Sequence, residues 1–392
     1  MNEMQMVRDL LTEPPSPPSH VSAEALRSLQ DGIAGRRSPA SRLGRFRRPA
    51  WGLGLAGAVT AAALVATTVV TGPSDQRAEG VAQQEVPGSQ TPAVKLDART
   101  VLLAAADRSA GQPDQAGAYW HSAQVSRHYH RTGSATDRYT VYTETRDEGW
   151  TPSTPGRDRW GRQKDLGTRP ASPADEATWR RAGSPTKFAI EVPVPAKHGE
   201  RPGGQAKRFV AMAEPRGGGE LSHSPLTDGD KVYWLGRNVT MKDLRGLPTD
   251  PARLKAWLLR SYAGHGTEST SDKMSSDQWL FVVAGGLIID MPVTPQVRAA
   301  AFRMLAALKS VKAVGPVKDS QGRAGTAVTI VERTKGNGVL EHRLLIDEVG
   351  GRALGKDIVI REPAGANANL PAGSLMTSSV VVADEWVDSP PR

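Results

Sequence analysis

The chain has 392 residues, a hydrophobic content of 38%, a formal net charge of +9 at pH 7 and no cysteine. The missing thiols exclude a disulfide framework, a Cys-type zinc site and a thiol nucleophile, so any folded part must hold together through its core alone. The 40 glycines and 29 prolines cluster in segments that read as loops, and the positive charge is spread out except for one arginine group.

Residues 1–35 read as two short helices. Met4, Val7, Leu10 and Leu11 fall at helical spacing, and Pro14-Pro15-Ser16-Pro17-Pro18 interrupts them. Ser22 then serves as an N-cap with Glu24 in the first turn, ahead of a stripe of Leu26, Leu29 and Ile33. Helices this short are marginal alone. Leu10, Leu26, Leu29 and Ile33 are therefore candidate partner-binding residues, against the alternative of a disordered tail.

Next comes the arginine group: Arg36, Arg37, Arg42, Arg45, Arg47 and Arg48. It precedes Trp51–Val70, an uncharged run that includes Leu55, Val59 and Leu64. Roughly 20 apolar residues of helix suffice to cross a hydrocarbon core of about 30 Å. Arginines beside such a run stay on the cytoplasmic side, so Arg42, Arg45, Arg47 and Arg48 are read as topology determinants. Direct nucleic-acid binding is not expected. The competing reading is a cleaved signal peptide. Against it stand the long preceding tail and the absence of an Ala-x-Ala site. Arg47-Arg48 resembles a twin-arginine signal, but Pro49-Ala50-Trp51 departs from that pattern. Gly54, Ala58, Ala62 and Ala66 would form a small-residue ridge on this helix.

The expected organisation is a cytoplasmic tail (1–50), a transmembrane helix (51–72), a flexible stalk (73–94) and an extracytoplasmic domain (95–392). The domain opens with a helix over Lys95–Arg108, ended by Gly111-Gln112-Pro113. Two alternating runs, Tyr119–His130 and Arg138–Trp150, flank Gly133-Ser134-Ala135 and suggest an antiparallel hairpin. Trp120, Ser122, Gln124, Ser126, His128 and His130 share one of its faces. Trp160 and Trp179 bound weaker segments, and Pro193–Gly219 reads as a basic exposed loop. Helices follow at Ala252–Ala263, capped by Asp250 before Pro251, at Ser275–Ile289, and after Thr294-Pro295. Strands return at Ala327–Arg333, Glu341–Asp347, Ala353–Arg361 and Ser378–Val387, with Val349-Gly350-Gly351-Arg352 as a hairpin turn. The fold expectation is α+β: one transmembrane helix plus a domain with a curved antiparallel sheet packed by helices.

The chemistry is sparse. No phosphate loop, dinucleotide fingerprint, nucleophile elbow or His-Glu-x-x-His is present. His128-Tyr129-His130 puts two imidazoles on one face, but a zinc site needs a third ligand, and two exposed surface histidines is the plainer reading. Asp228-Gly229-Asp230 lacks the later calcium ligands. Asp347 reads as a turn cap. The nine tryptophans read mainly as core, with a sugar- or lipid-facing platform as the alternative. No catalytic, cofactor-binding or metal-binding residues are assigned, and no enzyme activity or cofactor is expected. An enzyme acting on cell-wall polymer would need paired carboxylates in a cleft.

Several segments resemble those of a large actinobacterial family of uncharacterised single-pass membrane proteins. They are Leu247-Pro248-Thr249-Asp250-Pro251-Ala252-Arg253-Leu254, Thr294–Leu305, Val317-Lys318-Asp319 with Gly322-Arg323-Ala324-Gly325, and Leu345-Ile346-Asp347. Members are often encoded beside extracytoplasmic-function sigma factors. The resemblance therefore implies a membrane-anchored sensor or regulator with an anti-sigma-like role, and a sigma factor as partner for the tail. The zinc-binding His/Cys pattern of zinc anti-sigma domains is absent. The layout is also similar to lipoprotein-carrier and sigma-regulator half-barrels, a fold-level analogy. It implies the alternative of an envelope-facing lipid or hydrophobic-ligand carrier, or an ectodomain that binds an envelope protein.

Overall fold

The computed structural model describes residues 97–193, 206–224, 230–266, 269–334, 336–347 and 349–391. In chain order they form α1 (Ala98–Ala110), β1 (Tyr119–Gly133), β2 (Arg138–Pro152), β3 (Arg159–Pro170), α2 (Pro173–Arg181), β4 (Lys187–Pro193), β5 (Ala206–Met212) and β6 (Ser222–Ser224). Then come β7 (Lys231–Trp234), β8 (Arg237–Thr240), α3 (Met241–Arg245), α4 (Pro251–Leu259), β9 (His265–Gly266), β10 (Ser269–Lys273), α5 (Ser276–Ile289) and α6 (Pro295–Ala306). The last strands are β11 (Lys312–Lys318), β12 (Ala324–Thr334), β13 (Gly338–Ile346), β14 (Ala353–Pro363) and β15 (Leu375–Val387).

One antiparallel sheet of nine strands dominates, in the order β11-β12-β13-β14-β15-β1-β2-β3-β6. It is made of two meanders, β1–β3 and β11–β15, joined where β15 lies beside β1, with β6 added at the β3 edge. Tyr119 pairs with Val387 and His128 with Thr377 across that seam. The β13–β14 turn depends on Gly351 at φ 65°, where a Cβ would meet the Arg108 side chain of α1 at 2.5 Å. Asp347 caps the same turn, its carboxylate accepting from the Val349 and Gly350 amides.

Helices start where the sequence offers a cap. Asp250 accepts from the Arg253 amide ahead of α4, and Thr294 from the Val297 amide ahead of α6. Ser275 and Gln278 form a reciprocal capping box at α5. Helix α5 is apolar on all sides and mostly buried, as a central helix must be. It packs with α1, α4 and α6 on one face of the sheet, against Trp120, Val328, Ile330, Leu344 and Ile346. The opposite face carries ion-paired rows: Glu148 between Arg146 and Arg162, and Glu341 between Arg343 and Arg361. Burial would raise the Glu148 carboxyl, but hydrogen bonds from Arg162 and Arg146 hold it below its ordinary value.

The expected α+β architecture with a membrane-spanning helix is corrected. Strand outweighs helix, most of it in one antiparallel sheet. Among the described residues no helix is long and apolar enough to cross a membrane, so the membrane and single-pass descriptions have no support. Even α5 has only 14 residues, and at about 1.5 Å per residue that falls short of a roughly 30 Å core. The stretch with Trp51, Leu55, Val59, Leu64 and Val70 lies outside the described residues, as do Arg42, Arg45, Arg47 and Arg48, and Leu10, Leu26, Leu29 and Ile33. A second correction concerns Pro193–Gly219, read as a loop. Ala206–Met212 within it pairs with β4 as a two-stranded hairpin. Backbone pairing needs no apolar run when only one side of a strand is covered.

Candidate functional site

The alternation along β1 puts Trp120, Ser122, Gln124, Ser126, His128 and His130 on the helix-bearing face. Its two ends are covered differently. At the first end Trp120 is 5% exposed beneath the helices. At the other, His130 is also 5% exposed, beneath the β4–β5 hairpin. That hairpin packs Phe188, Ile190, Val192 and Ala211 on Tyr139 and Val141 of β2. The Thr132 hydroxyl donates to the Ala189 carbonyl at 2.8 Å and pins the hairpin down.

Between the covered ends lies a band that the apolar contacts of neither cover fill. Two rows of side chains cross it from β14 to β3. In the first, Lys356, Ser379, Ser126, Thr145 and Asp165 lie on successive strands. In the second the order is Ile358, Thr377, His128, Thr143 and Thr168. Most of these residues are half-buried, and His128 is exposed. Enough protein surrounds His128 that desolvation lowers its pKa, only partly offset by Asp147. This band, flanked by the helices at one end and by the hairpin at the other, forms a trough across the sheet.

The trough is wired from the helix side. Asp290, at the C-cap of α5, accepts from the Gln124 amide and from Lys356 Nζ, the latter at 3.0 Å. The Ser379 hydroxyl donates to Gln124 Oε1 at 2.8 Å and lies 3.2 Å from the Ser126 hydroxyl. On the β3 side, Gln163 Nε2 donates to Asp147 at 2.6 Å. At the hairpin border the Phe209 ring is 41% exposed and stands edge-on to His130, centroids 5.3 Å apart. Burial, with help from His128, pushes His130 down to about 3, so it is neutral.

A second polar group lies under the helices. Arg298 of α6 is 3.4 Å from Asp384 of β15. Burial pushes Asp384 up to about 6, against the pull of Arg298 and Arg352. Among the described residues Asp384 Oδ1 and Arg298 Nε have no hydrogen-bond partner. This pair is closed off from the trough by its burial, whereas Asp290 reaches into it.

The sequence placed His128 and His130 on one face, which holds, but as two exposed histidines. His130 is buried because the hairpin lies over it. No group of three or more His, Asp or Glu among the described residues could hold a metal. Trp120, Trp150, Trp234 and Trp279 are buried. On the far face, Trp150 stacks on His121 and Trp160 lies tilted against His223, so these rings cover one another instead of forming an open platform. Sequence reasoning missed Lys356, Ser379, Thr145 and Asp290 as neighbours of Ser126. The available signal was the run of polar residues on the face shared with Trp120, where a fully packed strand would be apolar. No protein-family model matches the chain, and no curated protein matches it.

Proposed function

We propose that residues 97–391 form the binding part of a non-enzymatic sensor or regulator, and that the trough holds its ligand or partner. The observation that carries this is the half-exposed polar band between two well-covered ends of one sheet face. Covering a face at both ends while leaving hydroxyl, amide and imidazole groups in the middle creates a concave polar surface on a rigid floor. The carboxylates of the trough, Asp147, Asp165 and Asp290, accept from Gln163, from the Gly167 amide, and from Gln124 and Lys356, which suits holding a molecule better than moving protons.

The reading as a carrier of lipid or another hydrophobic ligand has one feature in its favour. A cleft of about 530 Å³ opens between α1, the end of α6 and β11. Leu102, Leu305, Leu308 and Val311 line it, with Arg99, Lys309 and Lys312 around them. It lies at the β11 edge of the sheet, and the trough itself offers an acyl chain only Ile358.

Hydrogen exchange on the full chain separates the two readings. Mixed with an aqueous extract of cell envelopes, the protein should gain protection at 124–128, 143–147 and 377–379. Protection at 98–102 and 305–313 with an organic extract instead would replace the sensor by the carrier. For the tail, the family resemblance supports a sigma factor as partner of Leu10, Leu26, Leu29 and Ile33. A full chain carrying Leu26→Ala and Leu29→Ala should then no longer retain a sigma factor that the parent chain captures.

A further inference from the structure

We infer that the trough takes an uncharged, polyhydroxylated ligand of the oligosaccharide class, laid across β14, β15, β1, β2 and β3 with Phe209 against one of its rings. The inference rests on the trough being the binding surface and adds what binds there. Three observations lead to it.

The first is charge. Lys356 and Asp290 neutralise each other at 3.0 Å, and Asp147 is held by Gln163 at 2.6 Å. Asp165 is occupied by the Gly167 amide at 2.7 Å. The Gln163 and Gly167 amides are neutral donors and leave the charges of Asp147 and Asp165 in place, so an anionic ligand would face both carboxylates and could reach Lys356 only by breaking its pair with Asp290, which is costly. A neutral ligand leaves them intact.

The second is the kind of polar group. Ser126, Ser379, Thr143, Thr145 and Thr377 present hydroxyls, each able both to donate and to accept. Gln124 adds an amide. His128 has no hydrogen bond on its ring among the described residues, and as a neutral imidazole it offers one donor and one acceptor. Such a surface matches a ligand that is itself a set of hydroxyls. The Phe209 ring, 41% exposed, adds an apolar contact that a sugar ring's C–H face can cover.

The third is what the trough lacks for a peptide. Peptides dock by adding a strand to a free edge, or by filling apolar pockets with alternate side chains. β14, β15, β1 and β2 each have a strand on both sides, and beside the trough the outer side of β3 is met by the backbone of Ala213 and Gly219, which bond Thr168 and Gln163. Ile358 is the one aliphatic side chain in the two rows. Across five strands spaced about 4.8 Å apart, the floor is roughly 20 Å long, room for several rings in line.

The experiment is calorimetric titration of the full chain with neutral oligosaccharides, with mixed-sequence peptides and with a polyanionic glycan as separate arms. A neutral oligosaccharide should bind. His128→Ala should weaken it roughly tenfold, the equivalent of one or two lost hydrogen bonds. Phe209→Leu, which keeps the hairpin packed, should weaken it comparably, and Arg361→Ala on the opposite face should not. If only the peptide or the polyanion binds, and Ser126→Trp abolishes it, the trough stands and the ligand class falls. If neutral oligosaccharide binds equally well to the parent, His128→Ala and Ser126→Trp, the inference is overturned. If no arm binds, and Ser126→Trp leaves the envelope-extract protection pattern unchanged, the trough reading falls as well.

Discussion

The two covered ends of the helix-bearing face solve the same problem with different materials. Under the helices, Leu102, Phe302 and Leu305 of α1 and α6 meet Leu254 and Leu258 of α4 and Leu280 and Leu287 of α5, all fully buried. Under the hairpin the apolar contribution is small: Tyr139, Val141, Phe188, Ile190, Val192 and Ala211. The rest is polar. Thr132 bonds the hairpin backbone, and Asp175 of α2 accepts from the Thr140 amide at 2.7 Å and from Ser172. A helix layer buries area and sets global stability, whereas a two-stranded cover relies on directional bonds and can lift by itself. A trough bounded by one fixed wall and one lifting wall is the expected result.

Cutting into each core tests this contrast most severely. Leu305→Ala under the helices should cost about 4–5 kcal/mol in denaturant unfolding, since the surrounding helices cannot collapse on the gap. Ile190→Ala in the hairpin should cost only about 2–3 kcal/mol, because a two-stranded cover can settle. It should also speed amide exchange in β4 and β5 before the rest of the sheet. Equal costs with uniform exchange would erase the distinction between the walls.

The pH dependence comes next, because the two ends carry opposite titrations. Asp384 is raised in the folded state to about 6, so its contribution is complete below the unfolded value near 4 and is lost as pH rises through 6. His130 is depressed to about 3, so its contribution is present above the unfolded value near 6.5 and is lost as pH falls toward 3. Asp384→Asn should flatten the loss of stability between pH 4 and 6. His130→Gln should flatten the acid-side loss. Each effect is on the order of 2 kcal/mol in urea midpoints across the series. Acid should also weaken the far face as Glu148 protonates, since its lowered pKa makes that contribution one of higher pH.

The smallest expected effect is on the floor between the walls. Thr145→Val removes a half-exposed hydroxyl and should move the unfolding free energy by less than about 0.5 kcal/mol. A larger loss would mean that the band is structural, continuous with the two covers.

Much of the scaffold was readable residue by residue. Asp250 and Thr294 announced their helices because a cap is a local, chemical signal, and Ser275–Ile289 was legible from its apolar residues. The β1–β2 hairpin and the four strands after β11 followed from alternation and turn glycines. The strands β5 and β11 escaped notice, and Trp160 and Trp179 marked β3 and α2 only as weak segments. Their sequences are rich in Arg, Gly, Lys and Pro, and what holds them is a neighbour, not their own pattern: β5 needs β4, and β11 needs β12. The trough escaped for the same reason. Ser126 and Ser379 are 253 positions apart, and only the seam between β1 and β15 makes them one site.

That seam has a consequence for synthesis. His121 meets Glu385, 264 positions later, so a growing polypeptide emerges from the ribosome with its first hairpin made and one edge bare. The long wait before the matching edge arrives exposes Val125 and its neighbours to promiscuous partners, the situation in which β-rich chains go astray. Pairing the first strand with the last raises contact order, and folding slows as contact order rises.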